Sequence, residues 1–284
     1  MKIARASKLK VCGLIIALVV VGITQLRHSP VPPHEALLLR RIAEQDYSQQ
    51  QRSVSETRET LRVGTFNIHG GKGRDRRRDL ARTARNLEEL DVVGLYEVRG
   101  DWFAWQPDQA EQLGRMLKMD SWFAPSEQTG WFDRFGNGLL SRLELTSVQR
   151  IPLPGTQSKR FRNAVLTGVR WQGRVVRVLA VHVDSTRDRE RQLELVSDLF
   201  LSLEEPAVLM GDLNSTENDP TLKRLLTTPG VIDVLTATES SDRQPDRHID
   251  WILVRGLKPV RAEIRDDGAS DHPVVRAELE LVRD

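Results

Sequence analysis

The chain predicts an α/β domain in which two mixed β-sheets pack face to face with helices outside. Three observations carry this expectation. From Leu61 onward, short runs of strand character outnumber helical repeats. A hairpin signal, Gln172-Gly173, is interleaved with strand–helix–strand units. No internal repeat divides the text, so one domain of about 220 residues is expected.

The elements follow in order. Residues 62–68 (RVGTFNI) alternate apolar and polar and read as a strand. Leu80, Ala84, Leu87 and Leu90 then recur at helical spacing up to Asp91. Residues 92–96 (VVGLY) form a short buried strand that delivers Glu97, and a helix is expected over 108–117. Strands follow at 138–141 and 145–151, and two more, 164–171 and 175–181, bracket Gln172-Gly173. Leu193, Val196, Phe200 and Leu203 mark an amphipathic helix from about Arg187. Further strands are read at 207–210, 249–254 and 274–281.

The bulk composition suits such a body: 39% hydrophobic and 29% charged residues in 284 allow a substantial core. The net charge of +2 is unevenly placed. Residues 1–60 hold nine Lys/Arg against five Asp/Glu, leaving 33 against 35 in the remainder. The body is therefore not a basic nucleic-acid binder overall, although local clusters stay open.

Two segments precede the domain. Lys2, Arg5, Lys8 and Lys10 stand before a mostly apolar run ending at Leu26, so residues 1–26 read as an N-terminal membrane anchor or a signal. Charge ahead of the run places the body across a bacterial-type inner membrane, on the periplasmic side of a single-pass anchor. Secretion after signal cleavage is the alternative. Residues 27–60, with Pro30, Pro32, Pro33 and a polar tract at 48–53, read as a flexible polar linker with a short helical stretch at 37–42. The single cysteine, Cys12, lies at the start of the apolar run, whereas a lipidated cysteine would follow it, so a lipoprotein reading is poor; the body at 61–284 has no thiol chemistry.

Polar residues interrupt the apolar strands, and all are expected at carboxyl ends or in the loops that follow. They are Asn67 and His69, Glu97, His182 and Asp184, Asp212 and Asn214, Asp250, and Asp271 with His272. A buried acid at a strand end is costly unless it binds a metal or is hydrogen-bonded. One such residue alone reads as a turn or cap; six such segments in one domain point to a site.

These segments carry a resemblance. Thr65-Phe66-Asn67, Tyr96-Glu97-Val98, 136–141 (GNGLLS), Val181-His182, 211–214 (GDLN), 248–251 (HIDW) and Ser270-Asp271-His272 occur in the order found in the endonuclease/exonuclease/phosphatase superfamily. Pancreatic deoxyribonuclease, tyrosyl-DNA phosphodiesterases, neutral sphingomyelinases and inositol polyphosphate phosphatases belong to it. The resemblance implies a deoxyribonuclease I-like four-layer sandwich of two mixed β-sheets flanked by helices, with the site at the top of both sheets. It implies hydrolysis of a phosphoester by in-line attack of an activated water. Glu97, Asn67 and Asp271 would form the region of an Mg2+ or Mn2+ ion. Asp212 would orient or deprotonate the water, Asn214 would fix the water or phosphate, and His272 would stabilise the transition state. Asp250 would brace His272, and His182 would lie near the scissile phosphate. Arg162 and Asn137 would contact substrate. His69 replaces an aspartate of some nuclease relatives, and Tyr96 replaces a glutamine.

The substrate that the resemblance implies is a phosphodiester, either nucleic acid or a phospholipid head group. A nuclease-like enzyme is the first expectation, a sphingomyelinase- or inositol-phosphatase-like lipid enzyme the second, and a catalytically inactive binding module the third. The run 74–78 (RDRRR) could grip phosphates or an anionic lipid surface, or simply be a solvated first turn. Trp102, Trp105, Trp122 and Trp131 could stack on substrate or join the core. A monomer is expected.

Overall fold

Residues 28–30, 38–40, 58–101, 107–129, 133–155, 160–240 and 248–282 are described by the computed structural model. The elements begin with β1 (His28–Pro30), β2 (Leu38–Arg40), β3 (Leu61–Asn67), α1 (Leu80–Arg85), β4 (Val92–Asp101), α2 (Gln109–Leu117), β5 (Asp120–Thr129) and β6 (Asp133–Ser141). The chain continues through β7 (Leu145–Pro152), β8 (Asn163–Trp171), β9 (Arg174–His182), α3 (Arg189–Ser202), β10 (Ala207–Asp212) and α4 (Pro220–Leu226). It closes with β11 (Ile232–Asp233), α5 (Val234–Ala237), β12 (Asp250–Arg255), β13 (Leu257–Arg265) and β14 (Val274–Leu281).

Two mixed sheets result. The first has eight strands in the order β1-β5-β6-β4-β3-β14-β13, with β2 also on β5. The second has six, in the order β11-β12-β10-β9-β8-β7. Pairing is parallel at β3–β4 and at β9–β10 and antiparallel elsewhere. Apolar residues of both inner faces, among them Val63, Trp171, Val178, Met210 and Ile252, form one core between the sheets. A second core lies under α1 and α2 and a third under α3 and α4, which completes the four layers.

Local chemistry explains the element ends. Asp108 caps α2 by accepting from Glu111 N–H, and Asp219 caps α4 through Thr221 and Leu222. Gln172 and Gly173 are both left-handed, at φ 47° and 74°, as a two-residue hairpin turn requires. Gly211 sits where a Cβ would lie 2.0 Å from the Val181 carbonyl oxygen, so no larger residue fits between β10 and β9.

Several expectations are corrected. The helix from Leu80 ends at Arg85 rather than continuing to Asp91, because Asn86 caps it and donates its amide to both Asp267 carboxylate oxygens. Residues 38–40 form a strand on β5, not a turn of helix. Strands β5 and β13 and helix α4 were not read from the sequence. The anchor or signal at 1–26 lies outside the described residues; among those described, no helix is long and apolar enough to cross a membrane. Trp102, Trp105 and Trp131 also lie outside them, whereas Trp122 is buried in the core between the sheets.

Candidate active site

Strand direction brings the polar residues to one edge of both sheets. In the second sheet, β9 and β10 run parallel and end together at His182 and Asp212. Strand β12 runs the opposite way, so its first residue, Asp250, lies in register with Asp212. His182, Asp212 and Asp250 therefore form a row across three neighbouring strands, on one face of the sheet. In the first sheet β3 ends at Asn67, and the antiparallel β14 begins just after Asp271-His272-Pro273. Asp250 thus opens its strand and the Asp271-His272 pair precedes the next, instead of ending them, and topology compensates for the reversed direction.

Glu97 departs further from expectation. It lies inside β4, where the register against β6 slips between Leu95 and Val98. Its backbone is left-handed at φ 59°. A bulge of this kind turns one side chain out of the strand alternation, and it frees the Glu97 carboxylate from the sheet. His69 (φ 48°) and Asn214 (φ 47°) are also left-handed. Such conformations are uncommon in residues with a Cβ and cost about 1–3 kcal/mol each.

Asp212 is the hub of the site. Its Oδ2 accepts from Asn67 Nδ2 at 3.0 Å and lies 3.4 Å from His182 Nε2 and 3.9 Å from His272 Nε2. Its Oδ1 accepts from the Asn214 backbone N–H at 3.1 Å. Burial, with the nearby Asp250 charge, raises the Asp212 carboxyl to about 7, while His272 and the two hydrogen bonds oppose the rise. His272 Nδ1 lies 2.8 Å from Asp250 Oδ2. Burial disfavours the imidazolium, but the hydrogen bond and charge of Asp250, helped by Asp212 and Asp271, outweigh it and hold His272 at about 9. His182 is fully buried, and burial pushes it well below its ordinary value, so its ring is neutral.

The remaining residues take distinct places. Asn214 donates its amide to the Val183 carbonyl at 2.9 Å, which pins the loop after β10 to the end of β9. Asp271 is exposed and lies 3.3 Å from His69 Nδ1. Asn137 is buried between the sheets, and both its amide hydrogens go to Asn163, at 2.7 and 2.9 Å. That amide clamps β6 to β8. Arg162 is only 8% exposed, and its Nε and Nη1 have no hydrogen-bond partner among the described residues. Burial lowers its affinity for a proton, against the charges of Glu127, Glu97 and Asp184. Asp184 is a turn residue: its Oδ2 accepts from Thr186 N–H and Oγ1 and from Asp188 N–H. His248 packs edge-on against Trp251 with ring centroids 4.5 Å apart.

Two positioning residues complete the site: Ser270, which carried no role of its own in the sequence, and Tyr96, which stands where relatives carry a glutamine. Ser270 Oγ donates to the Asn67 carbonyl at 2.7 Å and accepts from the His272 N–H at 3.3 Å, fastening the closing loop to β3. Tyr96 donates from its phenol to the Met210 carbonyl at 2.8 Å and accepts from Thr65 Oγ1 at 3.3 Å. It joins the two sheets directly beneath the site. A hydroxyl one residue before Asp-His was visible in the sequence, but its partner at position 67 was not.

Metal ligation divides these residues into two groups. Asp212, Asp250 and His272 can bring one ligand atom each within 4.8 Å of one another. Yet His272 carries a positive charge at neutral pH and already engages Asp250, so this trio suits proton and charge management better than a cation. Glu97, Asn67 and Asp271 offer oxygen donors only. No hydrogen bond or ion pair ties up the Glu97 carboxylate among the described residues. A hard divalent cation fits that donor set.

The comparisons agree with the geometry. The profile of the Endonuclease/Exonuclease/phosphatase family matches residues 64–272. No curated protein matches the chain. Among solved structures, an endonuclease/exonuclease/phosphatase from Beutenbergia cavernae is 26% identical with a TM-score of 0.64, covering 79% of this chain and 72% of that one. A humanized D. rerio TDP2 is 22% identical with a TM-score of 0.58 (78% and 100% covered). A mannosyl-6-phosphatase from Bacteroides thetaiotaomicron is 15% identical with a TM-score of 0.57 (77% and 99% covered). The last two share the fold. With its profile match spanning most of the domain and every motif at one edge of two packed sheets, the chain belongs to the endonuclease/exonuclease/phosphatase family.

Proposed function

We propose that this chain is a phosphodiesterase dependent on Mg2+ or Mn2+, nuclease-like in its chemistry. The observation that carries the reading is the buried Asp212 carboxylate, held by Asn67 and the Asn214 backbone between two histidines of opposite protonation state. Glu97, Asn67 and Asp271 would hold the ion. Once bound, the ion supplies Lewis-acid polarisation of a phosphoryl oxygen.

The protein groups supply the rest. Asp212, raised to about 7, takes a proton from the attacking water near neutral pH. His272, kept charged by Asp250, neutralises the negative charge that develops on phosphorus-bound oxygens. The neutral His182 directs a ring nitrogen at Asp212 and the phosphate without adding charge. Arg162 offers two unpaired N–H groups to a phosphate oxygen. We further propose that residues 1–26 anchor the chain in an inner membrane with the catalytic body in the periplasm; a C-terminal reporter active in the cytoplasm would refute that topology.

The test of activity assays the purified full-length chain on DNA, RNA, sphingomyelin and phosphoinositides, with Mg2+ and then with EDTA. Turnover of a nucleic acid that EDTA abolishes is the expected result. Turnover of the lipid or of a phosphate monoester alone would replace the nuclease-like reading. Activity indifferent to EDTA would remove the metal.

A further inference from the structure

The segment after His69 is a small hairpin with a defined shape. Lys72 and Arg78 form an antiparallel bridge, Gly73 N–H donates to the Arg77 carbonyl, and Arg76 N–H donates to the Gly73 carbonyl. Arg76 is left-handed at φ 64°, as the tip demands. Neighbours brace the hairpin on two sides. Arg82 places both terminal nitrogens on the Asp75 carboxylate at 3.0 Å, and Arg74 donates to Asp266 through its side chain and to the Gly268 carbonyl through its backbone.

This bracing consumes the charges of Arg74 and Asp75 and leaves those of Arg76, Arg77 and Arg78. All three are exposed, and none has an ion pair among the described residues. Pre-ordered cations on a short hairpin lose little freedom on binding. The hairpin stands beside the site. Asp79 N–H donates to Gly71, two residues beyond His69, and the 266–268 loop that braces it leads directly into Asp271-His272. Arg76 is seven positions beyond His69, a span of at most about 25 Å. Arg78 also lines a groove of about 560 Å3 with Arg99, Gln109 and Gln112. Gln109 bonds the Gly70 carbonyl at 2.7 Å, so the groove runs alongside the turn that carries His69.

We propose that the hairpin at 72–78 is a secondary phosphate-binding site that holds a nucleic-acid strand outside the scissile phosphodiester. The inference rests on the phosphodiesterase reading above and names its substrate class. A nucleic-acid strand fits better than a bilayer. Lipid adhesion by arginines is strengthened by adjacent apolar side chains, and among the described residues none of the exposed large apolar ones, Met116, Leu195, Val260 and Val282, lies on the hairpin. A strand, by contrast, presents phosphates at regular spacing to fixed cations.

The test measures binding of full-length protein to a fluorescein-labelled single-stranded DNA of about 20 nucleotides. Anisotropy is read in EDTA across a salt series. The triple change Arg76→Gln, Arg77→Gln, Arg78→Gln is expected to weaken binding at least about tenfold and to lower the slope of log K against log salt by about 2. The corresponding triple Lys variant should keep the slope, because it keeps the charges. Equal slope and affinity in the Gln variant would overturn the inference. So would a Gln variant that loses binding to phosphatidylserine vesicles while holding DNA unchanged. Hydrolysis of bis(p-nitrophenyl) phosphate by the unaltered protein is read separately: its absence with Mg2+ present defeats the catalytic reading, whatever the hairpin binds.

Discussion

His272 Nδ1 and Asp250 Oδ2 lie 2.8 Å apart, although Asp250 opens β12 of one sheet and His272 lies in the loop leading into β14 of the other. The contact locks the imidazole with its other nitrogen toward Asp212, 3.9 Å away. Burial raises Asp212 to about 7 and the facing Asp250 charge adds to that rise, while the same carboxylate holds His272 at about 9. The rate should therefore rise as Asp212 loses its proton and fall as His272 loses its own. Asp250→Asn should move both limbs of the kcat/KM profile to lower pH. An alkaline limb that stays in place in this variant would separate His272 from the reaction.

Replacing the imidazole itself should cost more than displacing its titration. His272→Ala removes the cation that meets developing charge, and a loss of at least about a hundredfold in kcat is expected, by analogy with other preorganised donors. Single-turnover measurement gives the chemical step directly. Near-normal turnover would assign the role to another group, with the buried Arg162 one cationic candidate.

The same two titrations predict how stability varies with pH in the metal-free protein. Asp212 has its folded pKa raised from 3.8 to about 7, and His272 from 6.5 to about 9. In each case the folded state holds the proton more tightly than the unfolded chain. The stability so gained is complete below the unfolded pKa and is lost as pH rises through the folded one. In EDTA, then, stability should decline from about pH 4 to about pH 9, by on the order of 3 kcal/mol for His272 alone. Denaturant titration across that window measures it, and a flat profile would contradict the assignment.

A bound divalent cation should stabilise the fold through Glu97. With ligand at 100 times its Kd the gain is about 2.7 kcal/mol, which is several degrees in Tm for a domain of this size. Mg2+ or Mn2+ should raise the Tm of the unaltered chain and fail to raise that of Glu97→Gln. An equal rise in both would place the ion elsewhere.

Much of this was legible in the sequence, for identifiable reasons. Strands β3, β8, β9, β10 and β14 announce themselves through continuous apolar or alternating runs, and the hairpin at Gln172-Gly173 through its turn chemistry. What escaped was non-local. Strand β13 (LKPVRAEIR) has one face exposed and carries four charges and a proline, so its apolar signal is thin. Asp250 reads as the end of something only until β12 is known to run against β10. Glu97 reads as a strand terminus because a bulge leaves no mark in a single sequence. The resemblance makes Asn137 a substrate contact, and its position in the motif does not disclose that Asn163, from the other sheet, takes both its amide hydrogens.

Tyr96 offers a test of how the sheets are joined. Its phenol is fully buried and bonds the Met210 carbonyl across the interface. Tyr96→Phe leaves that carbonyl and the Thr65 hydroxyl without this partner, at an expected cost of about 1–2 kcal/mol. Gly94 makes room for the hydroxyl: a Cβ there would lie 2.4 Å from the phenol oxygen and 3.2 Å from the ring carbon bearing it. Gly94→Ala should accordingly destabilise the unaltered chain strongly and the Tyr96→Phe chain less, since only the closer of the two clashes is relieved. The double-mutant cycle should show a coupling of at least about 1 kcal/mol, within the range found for residues in contact. Simple additivity of the two changes in chemical denaturation would mean that the backbone of β4 moves to accommodate the methyl group, and that the phenol does not fix the spacing of the sheets beneath Asp212.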